Sequence, residues 1–258
     1  MSEELIDSLF HFGWDMFSGE VILSLIVMGI IALLSFVIYF AFRKADPLKP
    51  DRGFVMIVET LVEKLENFTE EMMGKKWRSF AGYILGLGAY LAFSFLVSLM
   101  GFPGPFTYLG NTVSIALCTF LLIHITAIRK NKLRYFKRYV DPIPVLLPVN
   151  LLSMWSPLLS LSLRLFGNAL AGYTLMTIVY YFLGMLSDAI FGSFVVSGMS
   201  SILLPPLITP VLHAYFDVFS GAIQTLIFVM LTMMFISQED PDEGDEIGNA
   251  LSVQKGKA

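Results

Sequence analysis

One arginine constrains this chain more than any other residue. Between Arg138 and Lys255 the chain has no lysine or arginine except Arg164, which lies in the middle of a long apolar segment. An arginine at the centre of a membrane helix costs about 2.5 to 3.5 kcal/mol on insertion scales, so it is by default a hypothesis about function. The segment therefore predicts a membrane helix that presents one fixed positive charge.

The residues around Arg164 are small or polar. At helical spacing Gly167, Asn168, Ala171 and Gly172 fall on the same face as Arg164. Small residues allow a second helix to approach closely. We therefore expect this face to be a contact surface for a partner helix.

The composition indicates a polytopic membrane protein. Hydrophobic residues make up 56% of the 258 residues and charged residues only 15%, unlike a soluble domain. The apolar segments at 145–186 and 195–236 exceed the length of a perpendicular span, which predicts strong tilt or breaks at their prolines. We predict an all-α polytopic membrane protein with an external N-terminal segment (1–20), one outer span (21–42), an amphipathic surface helix (51–78), a transmembrane two-helix hairpin (79–129), two long tilted helices (142–237) and an acidic cytoplasmic tail (238–258).

The charge distribution predicts the orientation of the chain. Residues 1–20 contain five acidic residues and no lysine or arginine, and they lack the features of a signal peptide, so we expect them outside. Basic residues follow the first span at Arg43 and Lys44, and six more lie at 129–138. The positive-inside rule places both groups in the cytoplasm, and it explains the second group better than nucleic-acid binding does.

Residues 51–78 differ from the rest of the chain. Apolar residues recur at helical spacing from Phe54 to Phe68, while glutamates such as Glu59 and Glu63 fill the other positions. The charge forbids spanning, so we predict an amphipathic helix on the cytoplasmic membrane surface or against other subunits. The alternative is a solvated helix of a small soluble subdomain.

A second group of polar and small residues lies in the last apolar segment. His213, Asp217, Ser220, Gly221 and Gln224 follow one another at spacings that place them on one helical stripe. We expect the two stripes to face each other or a shared partner. Two alternatives remain open: a buried ion pair between the arginine and the aspartate of these stripes, and plain interhelical hydrogen bonds of the amide side chains.

Several chemistries are excluded or disfavoured by the sequence. The single cysteine, Cys118, excludes an internal disulfide and is expected to be a buried, inert thiol. No Gly-rich phosphate loop is present, so we expect no bound nucleotide. His11, His124 and His213 lack metal-ligand spacing, so we predict no metal, no cofactor and no intramembrane hydrolase.

The run Ser162-Leu163-Arg164-Leu165-Phe166-Gly167-Asn168-Ala169-Leu170-Ala171-Gly172, together with the later Gln224 in an apolar helix, resembles subunit a of rotary ATP synthases of bacterial type. The resemblance covers essentially the whole chain. It implies a non-catalytic stator subunit in the bacterial plasma membrane, beside a ring of c subunits with buried carboxyl groups. Peripheral-stalk b subunits, membrane lipid and, through the assembled complex, a catalytic head are the other implied partners.

The resemblance also implies roles for individual residues. Arg164 matches the arginine that faces the ring and mediates proton exchange with the ring carboxyls. Asn168 and Gln224 match polar residues near it, and the pair at 142–237 would form the ion path. Many bacterial members have an acid where this chain has Tyr173.

Asp217, seven positions before the glutamine, is therefore expected to relay protons. His213 is either its companion or an interfacial histidine. The small residues expected to contact the ring are Gly167, Ala171, Gly172, Ser220 and Gly221. The alternative function is a stand-alone secondary transporter or channel with Arg164 and Asp217 as its substrate site, although the chain shows no convincing internal repeat.

Overall fold

The computed structural model describes residues 19–44, 53–99, 104–131, 147–191 and 200–239, and nearly all of them are helical. Most of the predicted external segment and of the predicted acidic tail lies outside the described residues. The helices are α1 (Gly19–Lys44), α2 (Phe54–Met73), α3 (Ala81–Ser98), α4 (Leu109–Asn131), α5 (Leu147–Phe191), α6 (Pro205–His213) and α7 (Ser220–Ser237), with 3-10 turns at Lys75–Phe80, Pro105–Thr107 and Ser200–Ile202 and a π-helical turn at Ala214–Phe219.

Within the described residues, five helical stretches are long and apolar enough to cross a membrane. They are Gly19–Arg43, Lys75–Ser98, Leu109–Lys130, Leu147–Phe191 and Ser200–Ser237. The last two contain 45 and 38 residues, which gives about 68 and 57 Å at 1.5 Å per residue. A bilayer core is only about 30 Å thick, so these helices tilt strongly or extend beyond it. The predicted all-α polytopic fold with two long helices is confirmed.

The prolines of the two long helical stretches have different effects on helix geometry. Pro157 lies inside α5 without ending it, so the expected break does not occur there. α6 begins at Pro205 and Pro206. Prolines are tolerated there because the N–H groups of the first turn have no acceptor within the helix, so no hydrogen bond is lost. Pro210 lies inside α6 and is followed by the π-helical turn, where the N–H of Ser220 donates to the carbonyl of Tyr215.

The core is formed by α3, α4, α5 and α7. α4 packs along α5, and α3 packs against α7. The completely or almost completely buried side chains come from all four helices, and among them are Ile84, Leu91, Ala116, Leu161, Leu165, Phe228 and Met233. These contacts hold the two long helices side by side, and this arrangement positions the site.

α1 lies at the edge of the bundle and is largely uncovered. Leu33 and Phe36 are 65% and 62% exposed. A hydrogen bond of 2.5 Å between the hydroxyls of Ser24 and Tyr90 joins α1 to α3. Exposed apolar side chains on such a helix suit a lipid environment.

α2 packs against the bundle rather than forming a separate subdomain. Leu65 and Phe68 contact the core, while the N-terminal half leaves Ile57 67% exposed. The Arg78 guanidinium, in the following 3-10 turn, lies 2.9 Å from Glu66 and 3.8 Å from Glu70. The ion pairs connect the C-terminal half of α2 with the start of the next span.

Cys118 was expected to be buried, and this prediction was wrong. Its side chain is exposed on α4. The buried stripe of α4 consists of Thr112, Ala116, Thr119, Phe120, Ile123 and Ala127. Cys118 lies outside this stripe, so its thiol faces away from the core.

Candidate functional site

Arg164 lies in the middle of α5 and points away from the core. Its side chain is exposed, whereas Leu161 and Leu165 on either side are fully buried. The Nη2 atom donates a hydrogen bond of 3.3 Å to Ser160 Oγ, one turn earlier. In the described part of the chain, no ion pair joins Arg164 to Asp217. The charge is therefore presented outward at the level of the core.

The two predicted polar stripes meet one turn further along α5. Ser220 Oγ donates a hydrogen bond of 3.0 Å to Asn168 Oδ1. Both side chains are partly buried. The contact places Arg164 one helical turn from the interface between α5 and the Ser200–Ser237 stretch.

His213, at the end of α6, and Asp217, in the π-helical turn before α7, form a close pair. The Nδ1 atom of His213 lies 2.5 Å from Asp217 Oδ2. The other ring nitrogen, Nε2, lies 3.0 Å from the hydroxyl of Tyr180 on α5. Asp217 belongs to the π-helical turn, and such turns occur frequently at functional sites. The three side chains form one hydrogen-bonded chain between the two long helices.

These groups line a cavity of about 340 Å³, which we call the Asp217 cavity. Hydroxyl and amide groups dominate its polar wall, and the Ser94 hydroxyl there is buried with no hydrogen-bond partner among the described residues. Five of the sequence-predicted residues lie in its wall: Asn168, Gly172, Tyr173, His213 and Asp217. The cavity lining includes Ser94, Ser98, Thr107, Asn168, Gly172, Tyr173, Thr177, Tyr180, His213 and Asp217.

A second cavity, of about 390 Å³, lies toward the other end of the two long helices. We call it the His124 cavity. It is lined by the early part of α5, around Pro157, and by the end of α7, around Phe235. Its polar lining residues are His124, Asn150, Ser153, Ser156, Gln238 and Glu239.

A layer of buried, mostly apolar side chains lies between the two cavities. On α5 the His124 cavity ends at Pro157 and the Asp217 cavity begins at Asn168, about 16 Å apart along the helix. Leu161 and Leu165 lie in this interval, and Phe228 and Met233 lie in the corresponding part of α7, together with the buried polar residues Ser162, Gln224 and Thr232. The four apolar side chains are at most 1% exposed. We call these four side chains the apolar plug. Arg164 lies at the level of the plug.

Gln224 is placed next to this layer. Its side chain is 6% exposed, and Nε2 has no hydrogen-bond partner among the described residues. A buried amide nitrogen without a partner costs about 1 to 3 kcal/mol. The structure thus brings Gln224 close to the plug but does not join it to Arg164 by a hydrogen bond.

The small residues of the two stripes do not share one surface. Gly167 and Ala171 are exposed beside Arg164, and a Cβ atom on Gly167 would meet no atom of this chain within 4 Å. Gly221 is buried, and a Cβ atom there would lie 2.8 Å from Phe95. Ser220 bonds Asn168 and Gly172 lines a cavity. Gly167 and Ala171 on α5 are therefore open, whereas Gly221 packs inside the chain against Phe95.

Gly221→Ala is predicted to destabilise the chain because its new methyl group overlaps Phe95. Overpacking of this kind costs typically about 1 to 3 kcal/mol. We expect a lower thermal midpoint and a lower steady-state amount of the subunit in membranes. Gly86→Ala is the matched control, because a Cβ atom on Gly86 meets nothing within 4 Å. Equal stability of the two variants would contradict this packing role.

Sequence reasoning missed part of the site. Tyr180 carries no motif signal, because a tyrosine in an apolar helix has many ordinary roles. The hydroxyls of Ser94 and Thr107 come from distant parts of the chain, so only the tertiary fold brings them to Asp217. Pro210, shortly before Asp217, is the one local signal for irregular helix geometry. No three metal-binding side chains come together anywhere in the described part of the chain.

Comparisons with known proteins agree with this architecture. The family model described as "ATP synthase A chain" matches residues 16–237. The ATP synthase subunit a of Mycoplasma genitalium is 34% identical over 253 residues, which cover 93% of this chain and 86% of the relative. That of Mycoplasma pneumoniae is 32% identical over 261 residues, covering 94% and 89%. That of Mycoplasmoides gallisepticum is 31% identical over 234 residues, covering 86% and 78%.

Proposed function

The chain belongs to the ATP synthase A chain family, and on that premise we propose that it forms two proton half-channels beside a ring of c subunits. It is a non-catalytic membrane subunit, and its task is to translocate protons as part of the stator. In this proposal the ring carboxyls exchange protons at Arg164. Peripheral-stalk b subunits hold the chain, and the catalytic head is reached only through the assembled complex.

The observation that carries the proposal is the position of Arg164 relative to the two cavities. The Asp217 cavity and the His124 cavity lie on either side of the apolar plug. We infer that a proton does not cross the buried plug, because an ion in hydrocarbon is far costlier than one in water. A carrier outside the chain must therefore take the proton from one cavity to the other by a path that avoids this layer, and Arg164 is exposed at the level of the layer.

The unpaired charge of Arg164 favours a carboxylate as that carrier. Among the described residues, the guanidinium bonds only the Ser160 hydroxyl, which leaves its charge unneutralised. A ring carboxyl that turns to face Arg164 would lose its proton and form the ion pair. Guanidinium suits this task because it stays charged, whereas a buried lysine can be neutralised. Gly167 leaves room for a helix to approach this face.

The polar chain of the Asp217 cavity supports a proton relay on one side of the plug. Asp217 can accept a proton, and His213 is hydrogen-bonded to it. Asn168 lies in the cavity wall, one turn from Arg164. We propose that protons pass from the cavity mouth through His213 and Asp217 to the ring, with Tyr173 on the cavity wall.

The charge distribution suggests which side each half-channel serves. Arg129 and Lys130 lie at the end of α4, and the nearby His124 belongs to the His124 cavity. The positive-inside rule assigns that end to the cytoplasm. The Asp217 cavity would then open to the outside. A membrane potential contributes about 2.3 kcal/mol per charge per 100 mV, so several protons per turn supply torque to the head.

Single cysteines are predicted to react with a charged, membrane-impermeant thiol reagent from opposite sides. In a Cys118→Ser background, Thr177→Cys should react in right-side-out vesicles and Ser153→Cys in inverted vesicles, each at least about 10-fold faster than from the other side, because water in a cavity hydrates the charged reagent. Thr177 lines the Asp217 cavity and Ser153 the His124 cavity.

Leu121→Cys is the control for this measurement. Leu121 is half exposed on the outer face of α4 and lines neither cavity. In lipid it should react slowly in both vesicle types. Reaction of both cavity cysteines from the same side would contradict the two-half-channel proposal.

A further inference from the structure

Tyr180 is the unassigned member of the hydrogen-bonded chain in the Asp217 cavity. Its hydroxyl lies 3.0 Å from His213 Nε2, and the two rings are 5.9 Å apart between centroids. It comes from α5, whereas His213 and Asp217 belong to the opposite helical stretch. Tyr180 lies sixteen positions beyond Arg164 in the printed sequence, about 24 Å along the helix. It therefore cannot contact the ring carboxyl that Arg164 binds.

The donors and acceptors in this chain are fixed by chemistry. An ionised Asp217 only accepts, so His213 Nδ1 carries the hydrogen between them. In neutral imidazole Nε2 is then an acceptor, and the Tyr180 hydroxyl donates to it. When His213 takes up a second proton, its Nε2–H donates to the Tyr180 oxygen. The Tyr180 hydroxyl can act as donor or as acceptor while its oxygen stays in place.

We propose that Tyr180 is a positioning residue that holds the imidazole of His213 against Asp217 in both protonation states. The proposal rests on the proposed function, because the imidazole matters only if protons pass through this cavity. The titratable side chains lining the cavity are Tyr173 and Tyr180 from α5 and His213 and Asp217 from the opposite stretch. The other described elements of the wall contribute only hydroxyl, apolar and backbone groups.

A phenylalanine at position 180 keeps the ring but loses both hydrogen-bonding roles. We expect Tyr180→Phe to lower ATP-driven proton pumping about fivefold, the factor expected for one net hydrogen bond. The loss should grow as the pH falls, because bonds from a charged imidazole are stronger than those of a neutral one. A purely structural tyrosine would give a loss that does not change with pH.

The experiment compares Tyr180→Phe with Tyr181→Phe in membranes containing the whole complex. Tyr181 is 71% exposed and lies outside the cavity, so its variant should pump normally at every pH. Pumping is normalised to ATP hydrolysis and to the amount of assembled subunit. In a His213→Ala background, Tyr180→Phe should add less than a twofold loss, because coupling between contacting residues disappears when one is removed.

Three results would overturn the inference: a loss that is independent of pH, an equal loss in Tyr181→Phe, or a full fivefold loss in the His213→Ala background. The failure of this inference differs from the failure of the proposed function. If Asp217→Asn stops pumping while Tyr180→Phe does not lower it, the relay stands and only the role of Tyr180 falls.

Discussion

Replacing Arg164 with alanine will stop ATP-driven proton pumping in the assembled complex. Removing one member of a desolvated charge pair costs about 3 to 5 kcal/mol, which corresponds to a rate loss of roughly 100-fold or more. The ring carboxyl would keep its proton while passing the plug, because nothing stabilises its ionised form there. Dye quenching by inverted vesicles supplied with ATP measures the pumping rate.

Arg164→Lys is the matched variant for this prediction. It keeps a positive charge but loses the planar fork that binds a carboxylate with two hydrogen bonds. We expect pumping between that of Arg164→Ala and that of the unaltered complex. Near-normal pumping by a stably assembled Arg164→Ala complex would reduce Arg164 to a structural residue.

Asp217→Asn is predicted to give the second largest loss. The substitution keeps the size of the side chain but removes the only carboxylate among the residues that line the Asp217 cavity. A positioned proton-transfer group contributes roughly 100-fold or more to a rate, so we expect pumping and ATP synthesis to fall by about that factor. ATP synthesis in energised vesicles measures this loss for proton flow in the direction opposite to ATP-driven pumping.

Asp188→Asn is the control for the aspartate prediction. Asp188 lies near the end of α5, where its carboxylate accepts a hydrogen bond from Ser200 Oγ, and it lies outside the cavity. An asparagine oxygen can accept the same bond. ATP synthesis should therefore stay near its original rate. Similar losses in the two asparagine variants would remove the special role of Asp217.

Much of the fold could be predicted from the sequence because a membrane permits few backbone conformations. Backbone groups in lipid must be satisfied internally, so long apolar segments become helices. The two long segments, the amphipathic helix and the hairpin follow from hydropathy and charge alone. The continuity of α5 through Pro157 could not be predicted, since the cost of a proline depends on the tertiary contacts that hold the helix on both sides of it.

Only those parts of the site that follow from residue spacing within a single helix could be predicted from the sequence. The face with Arg164, Gly167 and Ala171, and the spacing between His213 and Asp217, are local patterns that the structure retains. The contact of Ser220 with Asn168 and the burial of Gly221 against Phe95 depend on how helices rotate about their axes. Spacing within one helix cannot specify that rotation, so the burial of Gly221 against Phe95 could not be predicted from the sequence.

The central claim is that Arg164 removes the proton from any ring carboxyl at the level of the plug, so that protons cross only when the ring turns. The most direct test measures passive proton conductance in vesicles that retain the catalytic head but contain no nucleotide, so that the ring can make small steps but no full turns. The account predicts tight vesicles with the original chain. It predicts a leak with Arg164→Ala, because a carboxyl that keeps its proton can carry it back and forth past the plug. Equally tight vesicles with both chains would contradict it.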